Sequence, residues 1–139
     1  MKAVEPISTP VSEARFAVLD SWGATDTDAM VWIGHMISTD DPGAVVAALT
    51  KWRSSSKGSQ FPGQGFLSAP IAMGQTDVTH MVHLGYASEA EMEAWSDSLA
   101  GNADWRTFLE EINAAADYHG AEMSRTVKVW GASSSDLVN

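Results

Sequence analysis

The sequence predicts a single α+β domain in which four antiparallel strands form one sheet and two helices cover one face of it. The expected order is strand, helix, strand, strand, helix, strand. Three observations predict it. Four short apolar runs, at residues 29–38, 66–73, 79–86 and 124–131, are bounded by polar or glycine-containing turns, as strands are. Two longer stretches between them carry apolar residues three and four apart, the spacing of helices buried on one side. The chain has 139 residues and 45% apolar content, which suits one domain with its own core.

Residues 1–28 read as an N-terminal extension. Pro6 and Pro10 punctuate its start, and RFAVLD at 15–20 offers one extra strand. The domain proper spans 29–131. AMVWIGHMIS sets Val31, Ile33, His35 and Ile37 on one face and Trp32, Gly34 and Met36 on the other. Both sets are apolar, as in strands covered on both sides. Thr39-Asp40-Asp41-Pro42 starts a helix, because a side-chain oxygen satisfies the free amides and proline is tolerated in the first turn. Val45, Leu49 and Trp52 line its buried face, and SSSKGSQ ends it. FLSAPIAM is the second strand, and Pro70, lacking an amide donor, places it at an edge or at a bulge. GQTDV turns the chain into THMVHLGY, completing a hairpin.

Ser88 and Glu91 form a capping box for the next helix, whose buried stripe is Met92, Trp95 and Leu99. Gly101 breaks that helix and Asn102 caps its continuation. Trp105, Leu109, Ile112 and Ala116 carry the stripe on until Gly120 stops it. SRTVKVWG is the last strand, with Val127 and Val129 on one face and Thr126, Lys128 and Trp130 on the other. Residues 132–139 read as a loose tail.

This order is the split βαβ, or ferredoxin-like, arrangement. Two helices shelter only one face of such a sheet. A wet face alternates apolar with polar residues, and neither face here does so. With Val31, Ile33, Val82 and Leu84 toward the helices, Trp32, Met36, Met81 and Trp130 turn outward. That apolar area exceeds what a monomer usually leaves in water. The expected partner is therefore a second copy, packed sheet to sheet about a two-fold axis. Trp32, Met36, Met81, His83 and Trp130 form the expected interface, with Gly34 and Gly85 leaving room for a partner's ring.

Composition excludes several functions. The net charge of −10 opposes nucleic acid and anionic membrane surfaces as partners. With no cysteine there are no disulfides, thiolate sites or cysteine nucleophiles. No apolar run approaches the roughly 20 residues of a membrane helix, and MKAVEPISTP lacks the apolar stretch of a signal peptide. A cytoplasmic protein is expected, and an exported form with its signal already removed stays open. Six tryptophans and seven methionines are read first as packing and second as ligand stacking.

The stretch THMVHLGYASEAEMEAWSDSLAGNADWRTFLEEI resembles the third strand and second helix of dimeric α/β-barrel proteins, and among these the antibiotic-biosynthesis monooxygenase-like branch. The likeness covers roughly residues 29–131. It implies that two sheets pair into a dimeric α/β barrel. It also implies a pocket between sheet and helices in each subunit, to which Trp95, Phe108, Tyr86 and Leu109 would contribute. Members of that branch often carry histidine on the second helix and just after its break. Here the matching positions hold Ala94-Trp95-Ser96 and Asp104-Trp105, which argues against haem ligation and against oxygenase chemistry.

His80 and His83 suggest a metal pair, but positions three apart on a strand point to opposite faces. No metal and no cofactor are expected. His35 and His80 fall on one face of neighbouring strands, where two imidazoles in an apolar pocket could perform general acid–base catalysis. The competing reading makes each a structural histidine bonded to the backbone. FPGQG lacks the lysine and spacing of a phosphate loop, and no GxSxG, HExxH or dinucleotide fingerprint occurs. Two functions follow. One is binding or conversion of a small apolar or aromatic molecule between sheet and helices, without a cofactor and monooxygenase-like. The other is a non-catalytic dimeric module that binds a ligand or serves a structural role. An open cavity reached by His35 or His80 would favour the first, and a sealed interior the second.

Overall fold

The described residues form five strands and three helices. A computed structural model describes residues 15–23, 29–72 and 77–126. In chain order the elements are β1 (Arg15–Gly23), β2 (Val31–Ser38), α1 (Pro42–Ser54), β3 (Gln64–Ala72), β4 (His80–Tyr86), α2 (Glu89–Leu99), α3 (Ala103–Ala115) and β5 (Asp117–Arg125). One 3-10 turn, Gly58–Gln60, follows α1. The sheet order is β1-β3-β4-β2-β5, and every neighbouring pair is antiparallel. The four-stranded, two-helix ferredoxin-like layout is thereby corrected, and so is the dimeric α/β barrel drawn from it.

The fifth strand is β1, which continues past residue 20 to Gly23 and pairs along the whole of β3. β3 is therefore not an edge. Beyond Ser68, β3 pairs with β1 alone, so Pro70 lies where one side of the strand is unpaired, as suits a residue without an amide donor. On its other side the β1 register shifts at Arg15/Phe16 and again at Val18/Asp20. The third helix arises at Gly101, whose φ of +72° ends α2 in a conformation glycine adopts readily. The Asn102 side-chain oxygen then accepts from the Trp105 amide at 3.1 Å and starts α3. The Ser88 hydroxyl likewise caps α2, accepting from the Glu91 amide, while the Glu91 carboxylate returns to the Ala87 amide at 3.0 Å.

The last strand lies earlier than the sequence predicts. β5 begins at Asp117, so Tyr118, His119 and Gly120 belong to a strand and not to a helix end. Ala116 is already extended, at φ −154° and ψ 151°. Gly120, at φ +123°, sits where the β2–β5 register slips between Met36 and Ile37. Its freedom serves a bulge here, where the sequence pattern suggested a helix stop. Residues 127–131 of the expected strand, with Trp130 and Lys128, lie outside the described residues.

All three helices meet one face of the sheet. Ile37, Leu67, Val45 and Leu49 form one buried cluster, joined by Trp22, Val82, Phe108 and Ile112. Tyr86, Trp95 and Leu99 form a second, joined by Ile33, Leu84, Phe61 and Trp52. Ile33 and Ile37 alternate on β2 and Val82, Leu84 and Tyr86 on β4, so both clusters share that face. None of the described helices is long and apolar enough to cross a membrane.

Candidate functional site

The opposite face of the sheet carries a row of rings that no described helix covers. Alternation places Trp32, Gly34 and Met36 of β2 there, opposite Gly85, His83 and Met81 of β4. Phe66 and Ser68 of β3 pair with His83 and Met81. Trp32 packs on Phe66 with centroids 5.6 Å apart. Phe66 stacks on His83 at 4.3 Å and 17°. Phe16 of β1 meets His83 edge-on at 5.9 Å. His83 Nε2 lies 3.0 Å from the hydroxyl of Ser68, which is fully buried. Trp32, Met36, Phe66 and His83 are half-buried, and Met81 is buried.

Burial lowers the pKa of His83 below its ordinary value, Glu122 of β5 pulls it back up, and the nearby charge of His35 lowers it further. The glycines of this face are already used. A side chain at Gly85 would strike the Trp32 ring at 2.7 Å, and one at Gly34 would meet Met81 Cε at 3.0 Å. The room expected for a partner's ring is thus filled by the chain's own Trp32 and Met81. Phe16, Phe66, Ser68 and Glu122 were not singled out by the sequence reading. Period two, counted back from Pro70, would have placed Ser68 and Phe66 beside the histidine.

Ser68, His83 and Glu122 are the residue types of an acyl-transfer triad, but the arrangement cannot act as one. The Ser68 hydroxyl has no exposed surface to meet a carbonyl carbon. Glu122 influences His83 through charge, with no hydrogen bond orienting the ring among the described residues. Among those residues, too, no group of three or more histidine or carboxylate side chains is placed to hold a metal ion.

The two histidines expected to act together share a face but bond to different neighbours. His35 stands opposite Val82 and His80 opposite Ile37, two positions along the ladder. His35 Nδ1 lies 3.5 Å from the Tyr118 hydroxyl, whereas His80 Nδ1 lies 2.9 Å from the Thr79 hydroxyl. Burial lowers both pKa values. The expected pocket residues also separate. Tyr86 and Trp95 belong to one core cluster, with Phe61 packed edge-on between them at 5.6 and 5.5 Å. Burial, with a smaller push from Glu91, raises the Tyr86 pKa to about 12, so the phenol stays neutral. Phe108 packs on the other cluster, and Leu109 faces solvent, 37% exposed.

Among the described residues, surface depressions lie along the helices, and four of them are defined by their linings. The smallest, about 80 Å³, is lined by Trp52, Asp104, Phe108 and the Lys51–Glu111 ion pair. A larger one, about 370 Å³, runs between α1 and α3 over alanines. The other two, about 440 and 340 Å³, lie at the α2–α3 corner and beside the start of α1. Neither His35 nor His80 lines any of them.

No protein-family model matches the chain, and no curated protein matches it. A solved structure to which it is similar is described as that of a major regulator of staphylococcal pathogenesis. The identity is 14% and the TM-score 0.53, over 89% of this chain and 76% of the other. A likeness at that identity bears on the fold alone.

Proposed function

We propose that this chain is a binding module without turnover of its own, working as a homodimer joined through the ring-bearing face of its sheet. The observation that carries this reading is the continuous row Trp32–Phe66–His83–Phe16, half-buried except at exposed Phe16 and facing away from all three helices. Its centre carries no carboxylate, lysine or arginine. Glu122, from edge strand β5, lays its exposed side chain over Gly34, beside His83. An identical apolar face is the partner that covers these four rings without setting a charge against them. The packed interior and the absence of His35 and His80 from the helix-side depressions favour binding over catalysis.

Sedimentation equilibrium of the purified chain tests the reading. The wild type should be a dimer at micromolar concentration. Trp32→Glu, which would place a carboxylate in a drying interface, should weaken association roughly a hundredfold or more while the circular dichroism stays unchanged. A wild type that remains monomeric at millimolar concentration would overturn it.

A further inference from the structure

We infer that His83 makes this association pH-sensitive: with the ring neutral the two faces meet, and protonation drives them apart. The inference rests on the dimer reading above and adds its regulation. The geometry supplies the reason. His83 lies within the apolar row, stacked on Phe66, edge-on to Phe16 and bonded to a sealed Ser68 hydroxyl. An imidazolium there would lose its remaining water once a second copy covered the face.

Only interactions that change on association bias it. The π-face of Phe66 is present in both states and so does not favour the dimer. The charged groups acting on His83 are Glu122 from β5, which favours the proton, and His35 from β2, which opposes it. β3 and β1 present Phe66, Ser68 and Phe16, all uncharged. Glu122 is solvent-exposed, so its screened charge compensates only in part.

The sign follows from linkage. Burial in the single chain already holds His83 below its ordinary value, and covering the face with a second copy removes its remaining water, so the separated chain takes up the proton before the dimer does. The contribution to association is present above the separated chain's value and is lost as the pH falls below it. Each dimer carries two such rings, so up to two protons enter on dissociation.

The test measures the dimer dissociation constant of the full chain by sedimentation equilibrium between pH 7.5 and 5.5. The wild-type constant should rise at least tenfold. His83→Gln, which keeps a polar partner for Ser68 but does not titrate, should give a constant that is flat across the range. Glu122→Gln, on an exposed position, should move the wild-type midpoint to lower pH. Retention of the wild-type pH dependence by His83→Gln would overturn the inference, and so would a wild-type dimer indifferent to pH. A wild type monomeric already at pH 7.5 would instead remove the interface, and the inference with it.

Discussion

On the helix-covered face of the sheet, Ile37, Leu67 and Tyr86 are sealed by side chains of α1, α2 and α3. On the other face, Trp32, Phe66 and His83 stand an odd number of residues away along the same strands and stay half-buried. Both faces are apolar, so hydrophobicity by itself does not separate core from interface. What separates them is whether the chain supplies its own cover. The covered face is finished by long-range packing within one chain. The ring-bearing face is finished only within its own plane, where Trp32 seats on Gly85 and Met81 on Gly34.

The sharpest way to test this difference is to remove the same kind of mass from each face. Leu67→Ala, at a fully buried position between α1 and the sheet, should cost about 2–5 kcal/mol, read from urea unfolding of the monomer. Phe66→Ala, its neighbour on the other face, should cost the monomer less and instead weaken dimerisation by about tenfold to a hundredfold, read by sedimentation. Equal losses of monomer stability from the two changes would erase the distinction. Asn102→Ala removes the α3 cap and should cost about 1 kcal/mol with the dimer constant unchanged. The smallest effect comes from surface charge. Two chains of −10 repel each other, so raising salt from 0.05 to 0.5 M (on the order of a threefold shorter screening length) should tighten the dimer a few-fold. Loosening with salt would mean that ion pairs, and not rings, hold the faces together.

Much of the helix-covered side was legible in the sequence. The cap residues Asp41, Ser88 and Asn102 each accept the amide bond their side chains predict. Val45 and Leu49 are buried as their spacing requires. Local chemistry decides these features, so a local reading finds them. The misplacements have non-local causes. Gly120 carries the same signal at a helix end and in a bulged strand, and only pairing with β2 selects the strand. The run at 15–20 was too short to weigh alone, and it becomes a nine-residue strand because β3 offers it an edge. In the candidate site, Trp32, Met36, Met81 and His83 were found because period two fixes a face. Phe16 was missed because its place depends on the β1 register, which slips twice. His35 and His80 share a face as period two requires, but they stand two positions apart along the ladder, which that period alone does not fix.

The corner at Gly101-Asn102 also sets the rotational phase of everything after it. Trp105, Phe108 and Ile112 reach the two core clusters from a helix whose first turn is fixed at that cap. One residue inserted ahead of α3, with the cap kept in place, leaves α3 intact; one inserted just behind it would turn the stripe by roughly 100° about the helix axis. That rotation would carry Phe108 and Ile112 off the sheet and present Thr107 and Glu111 in their stead. Tolerance to length change should therefore switch from high to low across two adjacent bonds, a discontinuity that a deletion and insertion scan of the corner would map residue by residue.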